Sequence, residues 1–141
     1  VGIKMRFKID GEIREISDEV FNFVDKNPHI GYYRTPQEWG VDGLTWEDKD
    51  LFYFTIFDNK VFMWRTICDF DEPENAKQIC KEIIKALRKK GIKATMDEIE
   101  EGHYTVDVWY ETGKKFEELT IEDLRKPLEI YKIFRTIDEE L

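Results

Sequence analysis

The order of elements is what most constrains this chain: a β-hairpin followed by a helix recurs three times. The first hairpin turns at Asp10-Gly11 and leads to a short helix near Ser17–Lys26. The second turns at Asp58-Asn59 and leads to a long helix near Pro73–Lys90. The third turns near Glu101-Gly102 and leads to a helical tail near Ile121–Glu140. Gly, Asn and Asp tolerate the positive φ that tight hairpin turns require. Hairpins pair antiparallel, so the order predicts an α+β fold: an antiparallel sheet built from hairpins, helices packed on one face, in the order β-β-α-β-β-β-α-β-β-α.

Local patterns fill in the order. Met5, Phe7 and Ile9 alternate with polar residues, and Ser17 fits a helix N-cap with Asp18 and Glu19 behind it. Leu51, Tyr53, Thr55 and Phe57 share one face of a strand, while Phe52, Phe54 and Ile56 share the other. Two apolar faces predict a central strand, covered by helices on one side and by a loop or a partner on the other. Val61, Met63, Arg65 and Ile67 oppose Phe62, Trp64, Thr66 and Cys68, and Tyr104, Val106, Val108 and Tyr110 alternate with Thr105, Asp107 and Trp109. In the long helix Ala76, Ile79, Cys80, Ile83, Ile84 and Leu87 recur at helical spacing, and Gly91 stands where a C-terminal glycine stops a helix. Thr120 with Asp123 matches a capping box, and Pro127 predicts a kink or a fresh start in the tail. Residues 30–50 are the least regular: an edge strand at Ile30–Thr35, then a long loop.

Composition narrows the function. A chain of 141 residues, 41% hydrophobic and with no low-complexity stretch, predicts one domain over 1–141. A net charge of −9 opposes nucleic-acid binding, which rests on cations that neutralise phosphate. Lys81, Lys85, Arg88, Lys89, Lys90 and Lys93 read as the solvated face and dipole-complementing end of the long helix. No apolar run approaches the ~18 residues of a membrane span, and the first residues lack the apolar stretch of a secretion signal, so the expectation is a cytoplasmic protein with no membrane role. Cys68 and Cys80 are then expected as small buried thiols rather than a disulfide. Abundant Ile, Lys and Glu with two glutamines and four asparagines resemble the composition of thermophile proteins.

Specific chemistry is hard to find. Lys8-Ile9-Asp10-Gly11 has the Lys-x-Asp-Gly pattern of covalent nucleotidyltransferases, but the further lysines and carboxylates that chemistry needs are missing downstream, and a hairpin turn explains it. His29 and His103 are the only histidines, and no Cys or His pair has zinc spacing, so no metal or cofactor is expected. Ser17, the sole serine, serves as a helix cap, and Cys68 has no cationic neighbour on its strand face. The acids at Asp48/Asp50, Asp69/Asp71/Glu72 and Asp97–Glu101 fall where turns and helix starts use them locally. The irregular segment remains. Tyr32, Tyr33, Arg34, Trp39 and Trp46 are residue types that anchor interfaces or line pockets, and they could equally fold back as core cover over the second sheet face.

From the first helix onward the order α-β-β-β-α-β-β-α, spanning Ser17–Lys26, Ile30–Thr35, Leu51–Phe57, Lys60–Phe70, Pro73–Lys90, Ile92–Ile99, His103–Tyr110 and Ile121–Glu140, resembles the fold shared by type III secretion chaperones and the YbjN-like family. The resemblance is one of element order over most of the chain, with no shared motif, and the N-terminal hairpin and aromatic loop depart from it. It implies a small acidic protein that binds polypeptides without catalysis, often as a dimer. The expectation is therefore a non-enzymatic module that binds a protein partner or itself through Tyr32, Tyr33, Arg34, Trp39 and Trp46. The alternative is a small enzyme or ligand-binding protein with a pocket between the 30–50 loop and the sheet, Arg34 holding an anion and Asp42 or Asp48 acting as acid or base.

Overall fold

The computed structural model describes residues 3–9, 11–27, 32–34, 43–48 and 50–141, the segment 32–34 through its backbone. The first hairpin, β1 (Lys4–Ile9) and β2 (Glu12–Ser17), leads into α1 (Asp18–Asp25). Then come β3 (Tyr32–Arg34), β4 (Leu44–Glu47), β5 (Phe52–Ile56), β6 (Lys60–Cys68) and α2 (Pro73–Lys89). The chain ends with β7 (Thr95–Glu100), β8 (His103–Glu111), a 3-10 turn at Phe116–Glu118 and α3 (Ile121–Glu140). The fold is α+β and antiparallel throughout, as the hairpin order implies.

Two features differ from the sequence expectation. The strands form two sheets, a β1-β2 pair and a six-stranded sheet in the order β3-β4-β5-β6-β8-β7. The first hairpin packs instead of pairing: Phe7, Ile9 and Ile16 are buried in the common core, and the Phe7 ring stacks on Phe21 of α1 at 5.6 Å. Arg14 of β2 pins it, donating to Asp58 in the β5–β6 turn at 2.8 Å and pairing with Glu117 of the 3-10 turn. The second difference is β4, expected as loop. Four residues are too few for a periodic signal, but Gly43 leads in so close to β5 that a Cβ there would lie 2.5 Å from the Ile56 carbonyl. No side chain fits that approach.

The helices start and stop for local reasons. Ser17 Oγ accepts the Val20 amide at the start of α1. At the end of α2, Gly91 adopts φ +79°, which lets its amide and that of Ile92 turn back to the carbonyls of Arg88 and Leu87. Thr120 and Asp123 cap α3 reciprocally. Pro127 does not interrupt α3, which is continuous across it; its ring is buried with Leu124, Leu128 and Tyr131. No helix is long and apolar enough to cross a membrane, among the described residues.

Cross-strand register sorts the six-stranded sheet into two faces. Leu44, Trp46, Phe52, Phe54, Ile56, Val61 and Met63 point to the helices and are fully or almost fully buried. A polar clamp holds α3 there. Asp48, buried after β4, accepts the amides of Asp50 and Phe52 and the Tyr131 hydroxyl at 3.0 Å. Arg135 lies 3.4 Å from the same carboxylate and stacks over the Phe52 ring at 4.7 Å. Burial, and then the Asp48 charge, push the Tyr131 hydroxyl far above its ordinary pKa, so it remains a donor. Tyr131→Phe leaves a buried carboxylate short of one donor, and a loss of about 1.5–3 kcal/mol is expected by urea unfolding; an unchanged midpoint would remove this bond from the account.

Candidate functional site

The other face of the sheet carries the second set of alternating residues, and among the described residues no helix packs on it. Register places Thr55, Phe62 and Trp109 in one row across β5, β6 and β8. The next row holds Tyr53, Trp64, Asp107 and Thr95, and the one after it Thr66, Thr105 and Asp97. Opposed and diagonal aromatic side chains on a pleated face touch, and here they form a ladder. Tyr53 stacks on Trp64 at 4.7 Å, Trp64 on Phe62 at 4.5 Å, and Phe62 on Trp109 at 4.0 Å, with planes within 18° of parallel. Lys60 closes the far end, its ammonium 4.8 Å above the Trp109 ring. Trp109 is nonetheless 47% exposed, and Ile99 and Phe70 are large exposed apolar side chains as well.

Beside the ladder lies a cleft of about 470 Å³. Tyr53, Phe62 and Trp64 form one wall, and Asp97, Ile99 and His103 form the other. Thr66, Thr105 and Asp107 lie between. Two other concavities differ in chemistry. One, between α1 and α3, is lined by charged and polar groups such as Glu19, Arg125 and Lys132 around Phe23. The other, between α2 and β7, is the basic stripe of Lys81, Lys85, Arg88 and Lys89 over Ile84 and Met96. There Arg88 donates to the Ala94 carbonyl, a local structural use of that charge.

Asp107 sets the sheet-face cleft apart. Its Oδ1 is buried without a hydrogen-bond partner among the described residues. Burial pushes its carboxyl up to about 6; the Thr105 hydroxyl opposes this rise and the Asp97 charge adds to it. A buried, unpaired acceptor costs stability, and perturbed carboxyls in clefts are marks of a functional site.

The residues singled out from sequence fare differently. Trp46 belongs to the core: it is 1% exposed, packs between Phe21 and Phe54 on the helix face, and donates its indole N–H to Asp25 at 3.2 Å. It therefore offers no surface to a ligand, which corrects its place among the binding residues. Tyr32, Tyr33 and Arg34 form the edge strand β3, with backbone partners Glu47, Trp46 and Thr45. Trp39, Asp42 and His29 lie outside the described residues. Asp48 and Asp50 are taken up by Tyr131 and Arg135, and Asp69 caps the turn before α2 by accepting from Glu72 and Asn75. Cys68 is exposed at the end of β6 rather than buried; its thiol is nonetheless pushed up by desolvation and then by Glu100, away from a reactive thiolate. Cys80 is buried and free. His103 is half-buried in the cleft wall, near Phe70 and 3.9 Å from Glu100. No three His, Cys, Asp or Glu side chains gather as a metal site among the described residues.

No protein-family model matches this chain, and no curated protein matches it. A solved structure described as an uncharacterized protein from Methanothermobacter thermautotrophicus is similar at 12% identity, covering 87% of this chain and 96% of that one, with a TM-score of 0.45. That likeness is too slight to carry an argument.

Two stability measurements separate core from site. Trp46→Ala is expected to cost about 3–5 kcal/mol, and Trp109→Ala about 1 kcal/mol or less; equal losses would contradict the assignment of the two faces. For Asp107 the sign follows from linkage. A carboxyl at about 6 in the folded protein, above its ordinary 3.8, holds its proton more tightly folded than unfolded. Its contribution to stability is thus full below about pH 4 and is lost as pH rises through about 6. Asp107→Asn is expected to be more stable than the parent by about 1 kcal/mol at about pH 7.5, after discounting for partial exposure, and to lose that advantage near pH 4. A variant less stable at neutral pH would mean that Asp107 has a partner.

Proposed function

We propose that this protein is a non-enzymatic binding module whose working surface is the helix-free face of the six-stranded sheet, and that its partner is a polypeptide. The observation that carries the reading is the ladder Tyr53–Trp64–Phe62–Trp109, half-buried to exposed on a rigid sheet. Rigid aromatic side chains supply contact area at low entropic cost, which is why they anchor interfaces. The resemblance in element order to type III secretion chaperones points to the same class of activity. Charge favours a foreign partner over a second copy. The face bears Asp97 and Asp107, with Glu111 standing opposite Lys60, and the chain carries −9, so pairing two copies face to face would juxtapose a net negative charge. Tyr32, Tyr33 and Arg34 remain candidates for extending the contact from the β3 edge, and Trp39, outside the described residues, remains a candidate with them.

A second reading has its own support. The cleft beside Trp64 is of small-molecule size, and it holds a polar group poised among apolar walls. Under that reading the protein carries a small ligand there, and Asp107 replaces Asp42 or Asp48 as the carboxylate of interest.

The test is selection from a random-peptide display library against the parent protein, followed by affinity measurement on Trp64→Ala/Trp109→Ala, with circular dichroism confirming its fold. Selected peptides are expected to lose at least about tenfold in affinity, since each ring is a candidate for 2 kcal/mol or more. Peptides that bind parent and variant equally, or no selectable peptide at all, would sink the polypeptide reading. A stoichiometric non-peptide mass in native mass spectrometry would then favour the second.

A further inference from the structure

We infer that the cleft between Trp64 and Asp107 is a specific seat for an organic cation with N–H donors, an alkylammonium or guanidinium head on an apolar stem. This rests on the reading of the sheet face as a binding surface and assigns the chemistry of its deepest point.

The argument is one of complementarity. Register sets Asp107 of β8 directly beside Trp64 of β6, so a carboxylate and an indole share one stretch of surface. Asp97, paired with Thr105 across β7 and β8, brings a second carboxylate to the same cleft. Among the described residues no ion pair joins either acid to a cation, and two cations of the sheet are spent elsewhere. Lys60 sits over Trp109 at the far end of the ladder, and Arg65 points to the opposite face, where it pairs with Asp138 at 3.2 Å. The cleft therefore holds negative charge without its complement, next to ring faces that themselves attract cations.

The need for N–H donors follows from the acceptors that line the cleft, the Asp107 and Asp97 carboxylates and the Thr66 and Thr105 hydroxyls. A quaternary ammonium would satisfy the charge and the rings but donate to none of them, whereas a primary ammonium or a guanidinium does both. The apolar stem has a place as well, against Phe62, Tyr53 and the exposed Ile99. His103 closes the cleft at the β7–β8 turn, with Glu100 3.9 Å from its Nδ1.

This chemistry has two sources: a free amine, or a lysine or arginine side chain of a bound polypeptide. The experiment separates them. Side-chain NMR signals of Trp64 and Asp107 are followed during titration with n-butylammonium, with n-butyltrimethylammonium and with 1-butanol, and then with the peptides acetyl-Leu-Lys-Leu-amide and acetyl-Leu-norleucine-Leu-amide. The expected result is saturation by n-butylammonium at least about tenfold tighter than by 1-butanol, with the trimethylated cation intermediate. Asp107→Asn, which should fold at least as stably as the parent, is expected to erase the preference, and Asp97→Asn to weaken it. A lysine peptide that binds more tightly than n-butylammonium and than its norleucine analogue identifies a polypeptide side chain as the guest; equal affinity of peptide and free amine identifies a free one. Equal responses to n-butylammonium and 1-butanol at Trp64 would overturn the cation seat while leaving an apolar binding face intact. A preference that survives Asp107→Asn would overturn it too. Absence of any response at Trp64 would overturn both the seat and the wider reading of this face.

Discussion

The structure depends on a mismatch between a sheet and its cover. β5 and β6 carry apolar or aromatic side chains on both faces, β8 adds Trp109 to the second, and the helices cover the first. The covered face is conventional: aliphatic and aromatic side chains interdigitate with α1, α2 and α3, and the first hairpin joins the same core through Phe7 and Ile16. The other face solves its exposure differently, by stacking rings on one another. Each ring in the ladder shields its neighbour, so Phe62 and Trp64 are half-buried with no helix above them among the described residues, while Trp109 at the end stays open. Antiparallel sheets tolerate one solvated face, but that face is ordinarily polar. Exposed aromatic patches of this kind are the ones that mark interaction sites.

Two carboxylates make the same point from the side of electrostatics. Asp48 is 7% exposed and has its oxygens filled by two backbone amides, a tyrosine hydroxyl and a guanidinium. It is a structural acid, and it ties the β4–β5 connection to α3. Asp107 is buried at Oδ1 with no such company among the described residues. Burial that would be ruinous for Asp48 without partners is tolerated at Asp107 because it borders a cleft, and proteins accept such local costs where a site requires them. The contrast moves attention from the acids of the β4–β5 connection to Asp107, in the middle of a strand.

Much of this was legible from residues alone, and the parts that were not have physical causes. Hairpin turns, the Ser17 cap, the Gly91 stop and the Thr120–Asp123 box are local chemistry, so they read directly. The alternation in β5, β6 and β8 also reads directly, including the second apolar face of β5. The site was harder because its parts come from four strands: Tyr53, Trp64, Asp107 and Asp97 become neighbours through register, which sequence does not display. The available signal was that Thr105, Asp107 and Trp109 oppose an aliphatic face just as Phe62, Trp64 and Thr66 do. Trp46 misled for the converse reason. In an irregular stretch a tryptophan reads as an anchor, whereas pairing with Phe54 across β4 and β5 turns it inward onto Phe21. Pro127 predicted a kink or a fresh start, and α3 runs from Ile121 to Glu140 without a second start, with Pro127 buried beside Leu124, Leu128 and Tyr131.

The claim that the aromatic sheet face is open to a partner can be measured on the free protein. A soluble paramagnetic relaxation agent broadens the indole N–H signals of tryptophans in proportion to their access to solvent. The order expected is Trp109 strongest, Trp64 intermediate and Trp46 weakest, following their placement at the ladder end, within the ladder and in the core. Protection of Trp64 and Trp109 equal to that of Trp46 would show that the face is already covered in solution, and it would contradict the account.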